Sequence, residues 1–243
     1  MGSDLLIIAL APVVVIAFYV WSRDKYEREP LGKVLLAMFA GAVIVVPVIF
    51  VEELLMIPSA EMGQIVGAAW NAFVVAAFTE ELFKFTALYL FIWKSPEFND
   101  KYDGIVYATF VSLGFAAVEN IGYVVSNDAS VGLLRAFTAV PAHAIFGITM
   151  GFYLGIARFY PLTMVSNRRK ALLIPMLLHG VYDFILMTGI AWLWVVFIGF
   201  VIFLYRLGLK QMKVLNRQSF FRTDYDLLNQ KLDGNLEGNS KNQ

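Results

Sequence analysis

The sequence predicts an all-α protein, a polytopic bundle of about seven transmembrane helices with its N-terminus outside and its C-terminus inside. Three observations support this prediction: a high apolar content, seven long apolar stretches and an uneven distribution of basic residues. Of the 243 residues, 59% are hydrophobic and 16% are charged, and the mean hydropathy is +0.68. Soluble domains usually carry about 25% charged residues, so lipid must surround most of this chain.

The apolar stretches have the length of membrane-spanning helices, which need about 20 residues and satisfy every backbone polar group internally. In chain order they are residues 5–21, 31–51, 65–93, 104–125, 132–160, 171–188 and 190–209. The third and fifth exceed this length, so we expect them to tilt, kink or protrude. The first has no basic residue before it and no small-residue cleavage site after it, so we interpret it as a retained span.

Basic residues alternate between connections. Apart from Lys84 and Arg135, every Lys and Arg lies in or beside the first, third or fifth connection or in the C-terminal region. Basic residues accumulate on the cytoplasmic side, which gives the predicted orientation. We divide the chain into a transmembrane domain, residues 1–210, and a cytoplasmic polar tail, residues 211–243, expected to be loosely ordered. The net charge of zero gives no reason to expect a nucleic-acid partner, and the lack of cysteine excludes disulfides and thiolate metal sites.

The third span carries charged residues near its middle, where each costs about 2.5–3.5 kcal/mol on insertion scales. Glu80 and Glu81 precede Lys84 by four and three residues, so on a helix Lys84 reaches either carboxylate. One acid can then stay ionised while the other serves as a general base or acid. The pair Glu52-Glu53 lies at the end of a span without a following Lys, so we interpret it as solvated interface charge.

The fourth and fifth spans carry further polar groups. Glu119 is followed by Asn120, which indicates a polar pocket rather than a single packing contact. His143 begins a stripe of small residues spaced four apart, a pattern that lets helix backbones approach closely. The stripe continues through Gly147, Gly151 and Gly155. His143 is thereby expected to face a neighbouring helix and not lipid.

The sixth span carries His179 and Asp183, four residues apart. A carboxylate on one ring nitrogen fixes the tautomer and raises the basicity of the other nitrogen, which suits a catalytic imidazole or a metal ligand equally. Both histidines of the chain lie inside spans next to spans with acidic groups. We therefore expect one shared centre, formed by Glu80, Glu81, Lys84, Glu119, His143, His179 and Asp183.

In their order along the chain, these motifs resemble those of the PrsW-type intramembrane proteases, bacterial relatives of the CAAX-type and bacteriocin-processing membrane endopeptidases. The matching elements are the Glu-Glu-x-x-Lys run from Glu80, the Phe-x-x-x-Glu-Asn run from Phe115, His143, and the His-x-x-x-Asp run from His179. The chain departs from the CAAX-type pattern at Lys84, Glu119 and Asp183, which disfavours prenyl-protein processing. The resemblance implies a multi-pass protease of the bacterial cytoplasmic membrane that makes the first cut in a single-span anti-sigma factor during stress signalling.

Two mechanisms are open, and both use activated water because no cysteine or suitably placed serine provides a nucleophile. In the first, no metal takes part: Glu80 or Glu81 is the base, Lys84 holds the other acid, and a histidine stabilises the oxyanion. In the second, zinc is bound by His143 and His179 with Glu80, Glu119 or Asp183. The absence of an HExxH run favours the metal-free mechanism slightly.

Two other functions compete with proteolysis. Proton-coupled transporters also bury ionisable residues, but the sequence shows no duplicated halves of the kind that transporters often have. A scaffold that binds single-span proteins through the glycine stripe without cutting them is the other alternative. A count of 1.5 Å per residue along the spans places Glu119 and His143 in the outer half of the bilayer, so we expect a cavity that opens outward.

Overall fold

The computed structural model describes residues 3–127 and 129–222, and every regular element within these ranges is helical. Seven helical stretches in the described residues are long and apolar enough to cross a membrane. They confirm the predicted all-α, seven-span fold. Their bounds are Asp4–Arg23, Leu31–Glu61, Gln64–Phe91, Lys101–Ser126, Ser130–Phe159, Pro161–Met187 and Leu193–Arg217. The orientation of the termini stays a prediction.

Several spans consist of more than one helix. The α-helices in chain order are α1 (Ser3–Arg23), α2 (Leu31–Val43), α3 (Val45–Met56), α4 (Gln64–Trp70), α5 (Thr79–Phe91), α6 (Lys101–Ser126), α7 (Ala129–Phe137), α8 (Ala139–Phe159), α9 (Met164–Met187) and α10 (Leu193–Arg217). A π-helical segment, Asn71–Phe78, joins α4 to α5. Short 3₁₀ turns follow α3 and precede α9.

The two longest predicted stretches are interrupted, as expected from their length. The π-helical segment Asn71–Phe78 interrupts the third span. The fifth span breaks at Thr138, whose backbone φ of −122° and ψ of −69° lie outside the α-helical region. Both interruptions precede the residues predicted for the site, Glu80 in the third span and His143 in the fifth. Such breaks re-aim the helix that follows them.

The centre of the bundle is the contact between α6 and α8, which pack through glycine. A Cβ added at Gly151 would lie 2.1 Å from the Gly104 carbonyl oxygen, and one added at Gly155 would lie 2.1 Å from the Lys101 carbonyl oxygen. Only glycine permits this approach of two backbones. The structure thus confirms the packing role predicted for the stripe and brings the helices of Glu119 and His143 together.

A buried acidic cluster lies at the opposite end of α6 from Glu119. Asp24 and Glu29 from the first connection and Asp103 from α6 bring one carboxylate oxygen each within 4.8 Å of one another. All three residues are buried, and the Tyr107 hydroxyl donates a hydrogen bond to Glu29. Burial, followed by the neighbouring charge of Glu29, raises the pKa of Asp24 to about 7. Burial likewise raises the pKa of Glu29 to about 7.

The final helix extends further than the sequence indicated. α10 continues to Arg217, and Gln211 and Leu215 are buried in this last part. The Thr149 hydroxyl donates a hydrogen bond of 2.9 Å to Gln211 Oε1, which attaches the end of α10 to α8. Helix α10 thus continues past residue 210, and the division into a transmembrane domain and a tail stays a prediction. The remainder of the predicted tail, residues 223–243, lies outside the described residues.

Candidate intramembrane active site

The seven predicted site residues lie on four helices, and the fold brings all of them into one centre. Those on α5 are Glu80, Glu81 and Lys84; Glu119 lies on α6, His143 on α8, and His179 and Asp183 on α9. The side chains of Glu80, Glu81, Lys84 and both histidines are at most 7% exposed. Those of Glu119 and Asp183 are 23% and 17% exposed, so the centre has a buried and a more open side.

Lys84 connects the two glutamates of α5, as the spacing predicts. Its Nζ lies 2.9 Å from Glu80 Oε2 and 2.8 Å from Glu81 Oε1. The same nitrogen lies 3.3 Å from His143 Nδ1 and 4.3 Å from the centre of the Phe115 ring. A buried ammonium needs such partners because desolvation strongly disfavours an isolated charge. Lys84 therefore places its positive charge between the two carboxylates and the His143 ring.

His143 is held between two carboxylates. Its Nε2 lies 2.8 Å from Glu119 Oε2, while its Nδ1 lies 3.9 Å from Glu80 Oε2. Because an ionised carboxylate only accepts hydrogen bonds, Nε2 carries the hydrogen that is donated to Glu119. In the neutral ring Nδ1 then keeps its lone pair, directed toward Lys84 and Glu80. Glu119 thus determines which nitrogen of the imidazole is directed toward the centre.

His179 has the same arrangement from the other side. Its Nε2 lies 3.2 Å from Asp183 Oδ2, the i, i+4 pair predicted from the sequence. Its Nδ1 lies 3.0 Å from Glu81 Oε1 and 4.0 Å from Glu80 Oε2. The two imidazole rings are nearly perpendicular, with centroids 5.3 Å apart. Both histidines therefore direct Nδ1 toward the glutamates of α5 and Nε2 toward a second carboxylate.

The π-helical segment positions α5 against α9. Its Phe73 ring packs directly on Gly180, where an added Cβ would lie 2.1 Å from Phe73 Cδ1. Gly180 is the residue after His179, so the glycine lets this segment approach the backbone that carries the imidazole. π-helical turns insert residues relative to α-helix and occur often at functional sites. The segment ends immediately before Thr79 and Glu80.

A cavity of about 570 Å³ opens onto the centre. Glu80, Glu119, His143, His179 and Asp183 line it, together with residues of the connection 57–64. That connection carries no basic residue, which marks it as extracytoplasmic in the predicted orientation. The opening of the cavity toward the outer side depends on this orientation and stays a prediction.

Two charged residues of the cavity wall were not assigned to the site from the sequence. Glu52, interpreted as solvated interface charge, lines the cavity instead, while its neighbour Glu53 is exposed. Arg135 lines the same cavity, and its Nη2 lies 3.0 Å from Glu119 Oε2. Its Nε donates a hydrogen bond of 2.9 Å to Asn120. Arg135 was one of two basic residues outside the alternating pattern of basic connections. That departure was the feature of the sequence that could have indicated its place in the site.

The donor set suits a transition metal. Glu80, Glu81, His143 and His179 each offer one ligand atom, and these four atoms lie within 4.8 Å of one another. Two imidazoles with a carboxylate form a known zinc ligand set, and each imidazole has its second nitrogen on a carboxylate, as metal-bound histidines usually do. Glu119 and Asp183, predicted as possible ligands, contact the outer nitrogens. The geometry therefore favours the glutamates of α5 as the oxygen donors.

These features define a class of protein: a multi-pass membrane protein with a buried carboxylate and histidine centre that opens to a cavity of about 570 Å³. Residues 29–207 match the model of the family described as PrsW family intramembrane metalloprotease. The chain belongs to this family, and the family identifies it as a membrane protease. No solved structure shows a significant match to the chain.

Several curated relatives have the same name. The chain is 40% identical over 187 residues to Protease PrsW of Geobacillus kaustophilus, which covers 75% of this chain and 80% of the relative. It is 37% identical over 222 residues to Protease PrsW of Clostridioides difficile, with 88% and 92% coverage. Protease PrsW of Bacillus subtilis is 37% identical over 205 residues, with 84% and 92% coverage. These matches extend over most of both chains, and the family match over residues 29–207 includes the whole centre.

Proposed function

We propose that this protein is an intramembrane endopeptidase that hydrolyses a peptide bond of a single-span membrane protein with activated water. The observation that carries the proposal is the position of Glu80. Its Oε2 lies within 4.0 Å of Nδ1 of both histidines, and its side chain lines the cavity. A base, two imidazoles and space for water and substrate thus meet at one point.

Glu80 is the residue that we assign as the general base. Glu81 is fully buried, is bound to Lys84 and His179, and is not among the residues that line the cavity. Glu80 shares Lys84 but also meets the cavity, so water can reach it. Glu81 then has a structural part, because it keeps Lys84 and His179 in place for the reaction at Glu80.

The histidines stabilise the charge that develops on the carbonyl oxygen of the substrate. An imidazole N–H in a site shielded from water stabilises an oxyanion much more than it would in bulk water. His179 lies between Glu81 and Asp183, and these two contacts fix the orientation of its ring. His143 is oriented by Glu119. We therefore assign oxyanion stabilisation to His179 and orientation of water or of the scissile carbonyl to His143.

The family description and the donor set favour a zinc-dependent form of this chemistry and reverse the slight preference for a metal-free mechanism. In this form His143 and His179 would hold the ion together with Glu81, in place of the metal-free roles given to the histidines above, and Glu80 would remain as the base. A bound zinc ion would polarise the scissile carbonyl and make a water molecule more acidic. Lys84 Nζ lies 3.3 Å from His143 Nδ1, so this nitrogen would have to leave the ammonium in order to bind a metal ion.

A substrate helix can reach Glu80 from the side. A second cavity, of about 450 Å³, lies between α3 and α6 and shares Glu52, Glu80 and Glu119 with the first. Its other walls are mainly apolar, including Ile49 and Val118, which are 49% and 38% exposed. An apolar transmembrane segment fits such a groove, and we propose that the substrate enters between α3 and α6.

The substrate class is a single-span anti-sigma factor of the bacterial cytoplasmic membrane, as the motif order implies. The 570 Å³ cavity opens beside the connection 57–64, on the predicted outer side. This position suits a cut near the extracytoplasmic end of the substrate span. Kinship with CAAX-type endopeptidases stays a prediction from the motifs, and Lys84, Glu119 and Asp183 continue to disfavour prenyl-protein substrates.

The experiment is co-expression of the full chain with tagged single-span anti-sigma factors, followed by detection of product fragments. Wild type is expected to cleave at least one, Glu80→Gln none, and Glu53→Gln as much as wild type, because Glu53 is exposed outside the centre. Cleavage by Glu80→Gln at the wild-type rate would refute the assignment. If that variant lost ion-coupled uptake of a solute instead, the protein would be a transporter. Cleavage of other single-span proteins alone would refute only the substrate class.

A further inference from the structure

A basic cavity of about 530 Å³ lies at the end of the bundle opposite the candidate active site. It is bounded by the end of α1, the loop after it and the end of α10. Half of the ten residues that line it are basic, and none is acidic. The basic residues are Arg23, Lys25, Lys213, Arg217 and Arg222. This concentration of positive charge indicates an anionic ligand.

Three of the basic side chains in the cavity wall have no acidic partner in the described part of the chain. Among residues 3–127 and 129–222, no ion pair joins Arg23, Lys213 or Arg217 to a carboxylate. The Arg23 guanidinium lies over the Tyr19 ring, 5.0 Å from its centre. The Asn216 side chain donates a hydrogen bond to the Arg23 carbonyl oxygen. These contacts orient Arg23 in the cavity wall without a negative partner among the described residues.

An apolar groove continues from this cavity into the bundle. It lies between α1, α8 and α10, has a volume of about 110 Å³, and shares Tyr19, Leu209 and Met212 with the basic cavity. Gly208 forms part of its wall, and a Cβ there would lie 3.2 Å from Ile145 Cγ1. The glycine therefore leaves room that a larger side chain would fill. The basic cavity and the groove together have the shape and polarity of an amphiphile.

We propose that this composite site binds one anionic phospholipid, with the phosphate headgroup in the basic cavity and part of an acyl chain in the groove. Clusters of Lys and Arg at the cytoplasmic membrane surface attract anionic headgroups, and basic pockets between transmembrane helices bind them specifically. The groove distinguishes a lipid from a soluble phosphate, because only the lipid gains from covering Ile145 and Leu209. The bound lipid links α1, the first span, to α10, the last described span.

The test is a titration of the purified full-length chain in detergent with fluorescently labelled phosphatidylglycerol, followed by fluorescence anisotropy. The double variant Lys213→Gln, Arg217→Gln is expected to weaken binding roughly 30-fold, since two surface charges are lost. The matched control is Arg206→Gln, Lys210→Gln. It removes two charges from the same helix outside the cavity and should bind as wild type does. Equal weakening in both double variants would overturn the proposal.

Competition with unlabelled compounds separates the possible ligands. Phosphatidylglycerol should displace the label, whereas phosphatidylcholine, glycerophosphoglycerol and inorganic phosphate should require far higher concentrations. Equal displacement by phosphatidylcholine would show that the site does not select charge. Equal displacement by glycerophosphoglycerol or phosphate would show that the groove contributes nothing. Either result refutes an anionic lipid site, and neither depends on the folding of a variant.

Discussion

His143 Nε2 and Glu119 Oε2 lie 2.8 Å apart across the interface between α6 and α8, and this contact decides which nitrogen of His143 faces Glu80. Arg135 holds the same carboxylate oxygen from the other side at 3.0 Å. The pair depends on the glycine contacts that bring the two helices together. A hydrogen bond in the site is thus a consequence of backbone packing several turns away.

We predict that Glu119→Gln lowers kcat/KM for a cleaved substrate by about 10- to 100-fold, the usual effect of losing a carboxylate that orients a functional histidine. The amide can present an N–H to His143 and so favours the wrong tautomer. KM should change little, since Glu119 acts on the imidazole. Cleavage rates of a single-span reporter in detergent measure this effect, with Glu53→Gln as the control. Unchanged kcat would show that Glu119 does not orient His143.

Lys84→Met should lower the stability of the protein strongly. The variant leaves two adjacent, buried carboxylates without the ammonium that contacts both, and the loss of one partner of a buried ion pair costs about 3–5 kcal/mol. The melting temperature in detergent is the measurement. Lys94→Met removes an exposed lysine near the end of the same span and should melt as wild type does. Similar melting of both variants would contradict the role given to Lys84.

Gly151→Ala should also destabilise the fold, because its Cβ would lie 2.1 Å from a backbone oxygen of Gly104 that cannot move independently. Overpacking of this kind typically costs about 1–3 kcal/mol. Gly199→Ala is the matched control, since nothing lies within 4 Å of a Cβ at Gly199. We expect a lower melting temperature only for Gly151→Ala. Equal melting of the two variants would mean that α6 and α8 can separate at no cost.

Stability should fall as the pH rises through the window set by Asp24 and Glu29. Their ordinary pKa values are 3.8 and 4.5, and burial raises the pKa of each to about 7. Between these limits the native state binds more protons than the unfolded state, so the free energy of unfolding decreases with increasing pH.

Asp24→Asn with Glu29→Gln should remove most of this pH dependence and raise the melting temperature above that of wild type at about pH 8. Thermal melts between about pH 5 and about pH 8 provide the measurement. Glu53→Gln, at an exposed position, should retain the wild-type slope. A slope that survives in the double variant would assign the pH dependence to other groups.

Removal of metal should abolish proteolysis, and zinc should restore it. The reason is the donor set of His143, His179 and the glutamates of α5, which holds the ion in the proposed mechanism. The measurement is cleavage of the reporter by purified protein after chelation, with the zinc content determined on the same sample. Full activity in protein shown to be free of metal would assign the chemistry to Glu80, Lys84 and the histidines alone.

The sequence predicted the spans and the members of the centre because both depend on local patterns. Apolar length defines a span, and the i, i+3 and i, i+4 spacings of Glu80, Glu81 and Lys84 and of His179 and Asp183 define helix faces. The structure reproduces both sets of contacts. The proposed zinc-dependent mechanism departs from the slight preference for a metal-free one that was drawn from the sequence. The missing HExxH run was weak evidence, because zinc ligands can be assembled in several ways and these donors come from three helices.

The contacts between side chains on different helices could not be predicted from the sequence. Three features depend on how the spans rotate against one another. They are the salt bridge between Arg135 and Glu119, the place of Glu52 in the cavity wall, and the fact that Glu80 and not Glu81 lines the cavity. That rotation is set by glycine contacts and by the π-helical segment Asn71–Phe78. By itself the sequence determined which residues cannot face lipid, since the cost of burying charge is local. Only the tertiary structure decided which of them meet, because distances between helices are a property of the packed bundle.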